Sequence, residues 1–167
     1  AAGSYQFSVE CLKSYVLNLM SNKLKILMVC LGNICRSPLA EGILVAKAQA
    51  KGLDWEIESA GTSGFHAGNK PDKRSIAVAK KHHVDILNQR SRQFRAKDFE
   101  TYDIIYVMDR SNYQDIVSMT KSEEESAKVK LIMNELEPGK NINVPDPYFG
   151  EFGFENVYEM LDQACDL

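Results

Sequence analysis

Four cysteines among 167 residues are too few and too widely spaced for a disulfide framework, so we expect the protein in a reducing, cytoplasmic compartment. They also form no metal-binding pattern. Cys30 and Cys35 are further apart than the paired cysteines of a zinc knuckle, and His82 and His83 have no matching pair. The sequence therefore predicts neither a metal nor another cofactor.

Long apolar runs and basic stripes are also missing. No stretch reaches the length of a membrane span, so we do not expect the protein to associate with a membrane. The formal net charge of -3 at pH 7 argues against nucleic acid as a partner. What the chain does have is enough length for one domain with a sizeable core.

The first 23 residues are expected to be an extension of the domain formed by residues 24–167. Residues 1–4 are typical of a cloning remnant. Glu10, the lack of a basic n-region and the lack of a small-residue cleavage site argue against a signal peptide. We expect the natural start at Met20; the alternative is that the segment before it forms a short helix packed on the domain or on a neighbouring chain.

Strand-like and helix-like segments alternate along the rest of the chain. Apolar runs predict four strands, at residues 25–29, 55–59, 103–108 and 129–133. Helical patterns cover residues 37–48, 73–82, 111–119 and 153–166, with Ser111 as an N-cap and a charged loop at 121–126. This order predicts a single α/β domain, with a four-stranded parallel sheet and helices on both faces.

The most informative segment lies between the first predicted strand and the first predicted helix. There Cys30 is followed by Arg36 six positions later and then by Ser37. Backbone N–H groups at a helix N-terminus attract an anion, and the helix dipole and a guanidinium both favour a thiolate. The planar guanidinium also fits two oxygens of a phosphoryl group. The segment therefore predicts a phosphate-binding loop and hydrolysis of a phosphate ester by a thiol.

Residues 29–38 also resemble the signature loop of the low-molecular-weight protein tyrosine phosphatases. A second signature of that family, Asp-Pro-Tyr, is matched by residues 146–150 near the C-terminus. Other matching segments follow in family order at residues 59–64, 69–72, 82, 91–93 and 108–112. The resemblance covers about residues 24–166 and implies hydrolysis of protein phosphotyrosine and small aryl phosphates through a phosphocysteine.

The resemblance also implies the roles of individual residues. Cys30 is the expected nucleophile, Arg36 the phosphate ligand and Asp146 the general acid that later acts as a base. Without the resemblance, Asp146 before a proline would be read as a turn residue. Substrate binding is further expected from the loop residues Leu31, Gly32, Asn33, Ile34, Cys35 and Ser37.

Phe65 and Tyr148 are the expected walls of a slot for a phenyl ring. The chain has Phe65 where the family often has Trp or Tyr, and Phe149 where it often has a second Tyr. Because some relatives self-associate through this aromatic rim, we expect a monomer or a weak dimer.

Two further expectations concern the support and regulation of the loop. Asn33 resembles the family residue that braces the loop, with Ser59 and His82 as expected partners. Cys35 resembles the second loop cysteine, which can form a reversible disulfide with Cys30 under oxidation.

Neighbouring activities can be distinguished by single positions. Arsenate reductases need a close cysteine pair downstream, but no cysteine lies between Cys35 and Cys165. Arginine phosphatases have Thr where this chain has Ile34, which favours an aryl phosphate here; a phosphoarginine phosphatase and a phosphotyrosine-binding module without turnover stay as alternatives. The expected partners are phosphotyrosine-containing proteins, and phosphate or sulfate ions can occupy the site.

Overall fold

The computed structural model describes residues 23–149 and 153–166 of the chain. The expectations for the N-terminal extension, both the start at Met20 and the alternative packed helix, fall on residues 1–22 and lie outside the described residues.

A parallel sheet of four strands forms the centre of the described part of the chain. The strands are β1 (Lys25–Cys30), β2 (Glu56–Gly61), β3 (Ile104–Val107) and β4 (Val129–Leu131). Their order is β2-β1-β3-β4, and all neighbours pair in parallel. The predicted α/β fold with a four-stranded parallel sheet is confirmed.

Helices cover both faces of this sheet, as predicted. Along β1, Met28 packs into one apolar cluster and Leu27 into another, because successive side chains of a strand point to opposite faces. The helices are α1 (Arg36–Ala50), α2 (Lys73–Lys81), α3 (Asp98–Thr101), α4 (Arg110–Val117), α5 (Glu123–Ala127) and α6 (Phe154–Ala164), with a 3-10 helix at Ile132–Glu135.

The predicted charged loop at residues 121–126 is wrong, because most of it belongs to α5. Ser122 caps this helix by accepting a hydrogen bond from the backbone N–H of Glu125. Three glutamates fill the first turn, where the helix dipole favours negative charge. A run of acidic residues directly after a serine was therefore a helix start.

Two element ends also differ from the prediction. The N-cap of α4 is Asp109 and not Ser111, since the Asp109 carboxylate accepts a hydrogen bond from the backbone N–H of Asn112 at 2.8 Å. The fourth strand ends at Leu131, and the chain continues into the 3-10 helix. The change at Asp109 places a carboxylate directly beyond the end of β3.

The carboxyl ends of β1 and β3 bring the chemically important segments together. Cys30 ends β1, and α1 begins six residues later. The segment that leads to Asp146 is joined to the end of β3 by a backbone hydrogen bond from Val144 N–H to Met108 O at 2.8 Å. Ligands bind at this edge of parallel α/β sheets. None of the helices formed by the described residues is long and apolar enough to cross a membrane.

Candidate active site

The thiol of Cys30 lies at the base of the loop between β1 and α1. The residue is only 2% exposed. Its sulfur is 3.0 Å from Ser37 Oγ and 3.3 Å from the backbone nitrogen of Asn33, which donates to it. The sulfur thus lies among hydrogen-bonding groups at the base of the loop.

Asn33 holds the loop from behind. Its backbone adopts φ 54, a left-handed conformation that asparagine tolerates better than most residues. Its Nδ2 donates to Ser37 Oγ at 2.8 Å and to Ser59 Oγ at 2.9 Å, while its Oδ1 accepts from the backbone N–H of Arg92 at 3.0 Å. The structure thus brings Asn33 and Ser59 together and adds Arg92, which the sequence did not point to.

His82 does not belong to this network, and its expected role there is corrected. Its Nε2 lies 2.6 Å from Glu155 Oε1, and its ring stacks on Tyr158 with the ring centroids 4.0 Å apart. His82 follows α2 directly, and both of its partners belong to α6. The histidine therefore joins two helices and does not brace the loop.

Arg36 is held by groups from two other segments. The residue is only 2% exposed. Its Nη1 donates to Asp109 Oδ2 at 2.6 Å and to the backbone oxygen of Val144 at 3.0 Å. Burial alone would lower the pKa of Arg36, but the negative charges of Cys30, Asp109 and Asp146 raise it above its usual value. The guanidinium is therefore a permanent positive charge beside the thiol.

Asp109 is a site residue that sequence reasoning missed. It lies in residues 108–112, a segment that matches the family but predicts no role for this residue. A polar residue that directly follows a buried parallel strand lies at the edge where ligands bind, and that position was the available signal.

Asp146 lies beside the same guanidinium and lines the cavity with it. Its Oδ2 lies 3.6 Å from Arg36 Nη2. Its Oδ1 accepts a hydrogen bond from the backbone N–H of Tyr148 at 3.0 Å, as aspartates in turns commonly do. Asp146 is thus both a turn residue and a carboxylate in the site.

A cavity of about 420 Å³ opens above the loop. Phe65 and Phe149 are 87% and 83% exposed at its rim, and the Arg74 guanidinium lies over the Tyr148 ring, 5.1 Å from its centroid. Asn33 and Ser37 are buried and do not line the cavity with the others. The lining residues are Cys30, Leu31, Gly32, Ile34, Cys35, Arg36, Ser63, Phe65, His66, Asp146, Tyr148 and Phe149.

Cys35 differs from Cys30 in its surroundings. Burial, together with the negative charges of Asp72 and Cys30, raises the pKa of the Cys35 thiol to about 12. Both cysteines are free in the structure. Cys35 is therefore a neutral thiol at physiological pH and a weak nucleophile in this state.

The described residues contain no group of three or more histidine, cysteine or acidic side chains that could hold a metal ion. The chemistry that the cavity offers comes from a thiol, a guanidinium, a carboxylate and the backbone amides of a loop. Such a set can bind an oxyanion, attack it and move a proton.

This fold and this group of side chains suit the hydrolysis of a phosphate ester. A sequence model described as "Low molecular weight phosphotyrosine protein phosphatase" matches residues 25–167. The chain belongs to that family, and the resemblance seen in the sequence is confirmed, as is the enzyme class, a phosphoric monoester hydrolase of the protein tyrosine phosphatase type.

Relatives and solved structures agree with this assignment. A Synechocystis sp. protein named as a low molecular weight protein-tyrosine-phosphatase is 43% identical over 145 residues, which are 85% of this chain and 92% of the relative. A crystal structure of the Entamoeba histolytica protein tyrosine phosphatase, with Hepes in the active site, matches at TM-score 0.79 and 36% identity, over 86% of this chain and 92% of the other. The Drosophila arginine phosphatase matches at TM-score 0.78 and 32% identity, over 85% and 93%.

Proposed function

We propose that this protein hydrolyses protein phosphotyrosine, and small aryl phosphates, through a phosphocysteine at Cys30. The observation that carries the proposal is the meeting of three groups in one cavity. The sulfur of Cys30, the guanidinium of Arg36 and the carboxylate of Asp146 all line it, and Asp146 reaches to 3.6 Å from Arg36. Each group has one part in the reaction.

In the first step, the Cys30 thiolate attacks phosphorus and the bond from phosphorus to the tyrosine oxygen breaks. Asp146 donates its proton to that oxygen, so the tyrosine leaves as a neutral phenol. Arg36 and the loop amides hold the remaining phosphoryl oxygens, whose charge increases in the transition state. The products of this step are tyrosine and a phosphocysteine.

In the second step, the Asp146 carboxylate removes a proton from a water molecule as that water attacks phosphorus. The sulfur–phosphorus bond breaks, inorganic phosphate is released and the Cys30 thiolate is restored. The same carboxyl group thus donates and then accepts one proton, and the cycle closes without another reactant.

The rim of the cavity supports an aromatic substrate. Phe65, Tyr148 and Phe149 surround the opening, and Ile34 presents an apolar side chain inside it. A phenyl ring can bury apolar surface against these side chains and reach the loop with its phosphate. An aliphatic phosphoserine is too short to gain the same contacts.

Substitution of the nucleophile tests the mechanism. With p-nitrophenyl phosphate as substrate, Cys30→Ser should reduce turnover to background, whereas the control Cys165→Ser, in a buried cysteine that does not line the cavity, should keep it. Rapid quenching of the wild-type reaction should reveal a covalent phosphate on the peptide that contains Cys30. Turnover by Cys30→Ser would disprove the cysteine mechanism, and phosphate binding without any wild-type turnover would favour a binding module.

Phosphoarginine is the second candidate substrate, because one of the matching structures is an arginine phosphatase. Ile34 argues against it, since its side chain has no hydroxyl to orient a phosphoramidate. Peptides with phosphotyrosine, phosphoarginine or phosphoserine should rank in favour of phosphotyrosine, and Ile34→Thr should raise turnover of phosphoarginine. A wild-type preference for phosphoarginine would reverse the assignment.

The remaining parts of the proposal concern context. We propose that residues 24–167 form the catalytic domain, that phosphotyrosine proteins are the partners, and that the protein works in the cytoplasm as a monomer or a weak dimer. The three cysteines in the described residues are all free, which fits a reducing compartment. Cell fractionation and sedimentation of the purified chain test the last two points.

A further inference from the structure

Glu41 carries a contact for which the proposed reaction has no use. It lies in the second turn of α1, and its Oε2 accepts a hydrogen bond from Ser59 Oγ at 2.5 Å. The same Ser59 oxygen accepts from Asn33 Nδ2 at 2.9 Å. One hydroxyl therefore stands between a carboxylate on the helix and the amide that holds the phosphate loop.

The orientation of the Asn33 amide determines the direction of each hydrogen bond between Glu41 and Cys30. Asn33 Oδ1 accepts from the backbone N–H of Arg92, so the amide nitrogen must face Ser37 and Ser59. An amide nitrogen only donates, and each serine must therefore direct its own proton elsewhere. Ser37 directs it to the sulfur of Cys30, 3.0 Å away, and Ser59 directs it to Glu41.

We propose that Glu41 is a positioning residue of the phosphate loop, which as a carboxylate accepts the Ser59 proton and so holds Asn33 in the orientation that makes Ser37 donate to Cys30. The inference rests on the proposed function of Cys30. Glu41 touches neither substrate nor the reacting atoms, and it acts through two intervening side chains.

The charge of Glu41 changes near neutral pH. Burial raises the pKa of Glu41 to about 7, and the neighbouring charge of Glu58 on β2 adds to this, while the Ser59 hydrogen bond and Arg92 oppose it. His83 and Asp85, from the segment after α2, line a cavity together with Glu41. The carboxylate that Ser59 needs is therefore present above about pH 7 and is lost below it.

The same cavity holds a candidate partner for the protonated form. Gln89 Oε1 is buried and has no hydrogen-bond partner among the described residues, although its Nε2 donates to the backbone oxygen of Pro38 at 3.0 Å. Gln89 and Glu41 both line this cavity. A carboxyl group that gains a proton can turn toward this acceptor and away from Ser59.

Alkylation of Cys30 by iodoacetamide tests the proposal without any need for turnover. The rate on the Cys30 peptide, followed by mass spectrometry from pH 5 to 9, should show a step near pH 7 in the wild type. Glu41→Gln keeps an oxygen for Ser59 but cannot titrate, so it should lose the step and stay reactive. Glu41→Leu removes the acceptor and should be slower by about tenfold at high pH, as expected for a lost hydrogen bond to a charged group.

Two further variants test the route of the effect. Glu58→Gln removes a charge that adds to the effect of burial on the pKa of Glu41, so the step in the alkylation rate should move to lower pH. Ser59→Ala removes the connection, so Glu41→Leu should add nothing in that background.

The same step should appear in kcat/KM for p-nitrophenyl phosphate. An unchanged alkylation step in Glu41→Gln, or additive effects of Ser59→Ala and Glu41→Leu, would overturn the role of Glu41. Failure of the phosphatase proposal would give a different result, because Cys30→Ser would then keep its turnover. The pH dependence of Cys30 alkylation could still be compared between the wild type and the Glu41 variants. Loss of folding is excluded by comparing the unfolding midpoints of all the variants.

Discussion

Arg36 donates from Nη1 to Oδ2 of Asp109 across 2.6 Å, and Asp109 uses its other oxygen to cap α4. One carboxylate therefore fixes the guanidinium of the site and also the start of α4, the helix that follows β3. Because Nη1 is also bonded to the backbone of Val144, this side of the guanidinium is occupied, and Nη2 lies toward Asp146 in the cavity. The orientation of Arg36, the proposed ligand of the phosphate, is therefore set by Asp109, which does not line the cavity.

The first prediction concerns Asp109→Asn. Asparagine still caps the helix but loses the charge that holds Arg36, so kcat/KM for an aryl phosphate should fall by about 10- to 100-fold, as expected for a charge-assisted hydrogen bond. Inhibition by inorganic phosphate should weaken in parallel, which steady-state kinetics measure. Asp115→Asn, in an exposed residue of α4, is the matched control. Equal kinetics in the two variants would show that Asp109 does not orient Arg36.

The second prediction concerns the proton donor. Asp146→Asn should lower kcat for phenyl phosphate by about 10²- to 10⁴-fold, the range of general acid catalysis. The loss should be smaller for p-nitrophenyl phosphate, because nitrophenolate leaves more easily without a proton. Inhibition by phosphate should survive, since Arg36 and the loop are unchanged. A loss of the same size for both leaving groups would contradict the role of Asp146 as the acid.

The sheet and the loop could be predicted because local patterns specify them. Apolar runs such as β3 form buried strands wherever they occur in such a fold, and Cys30 and Arg36 are close in sequence. Glu41 and Arg92 reach the site through tertiary packing, and nothing in their immediate neighbours shows it; for Asp109 the only local signal is its position after a buried strand. The prediction that His82 supports the loop was wrong for the same reason, since its partners Glu155 and Tyr158 are more than 70 residues away in sequence.

The third prediction concerns oxidation. Peroxide should convert the Cys30 thiolate to a sulfenic acid; Cys35 then attacks the Cys30 sulfur as it loses its proton, the S–O bond breaks, and a disulfide and water form. Wild-type activity should then return with dithiothreitol. In Cys35→Ser, more of the loss should be permanent, because sulfinic acid forms instead. The ratio of recovered to initial activity measures this, with Cys165→Ser as control; equal recovery in Cys35→Ser and wild type would exclude a protective disulfide.

The last prediction concerns stability and pH, and it follows from the half-buried carboxyl of Glu41. Its pKa is raised in the folded state to about 7, from a usual value of 4.5. Between these two pH values the group therefore takes up a proton when the protein folds. The stability contributed by this group is therefore complete below about pH 4.5 and is lost as pH rises to 7.

Glu41→Gln has no such proton to lose. The stability of Glu41→Gln relative to the wild type should therefore be greater at pH 8 than at pH 5. The difference between their free energies of unfolding, measured in urea, should change by up to about 2 kcal/mol in favour of the variant. Glu137→Gln, in a half-exposed residue paired with Lys140, should show no such difference between the two pH values. If Glu41→Gln also behaved identically at pH 5 and pH 8, the carboxyl would be ionised in both folded and unfolded protein, and Ser59 would have its acceptor throughout this range.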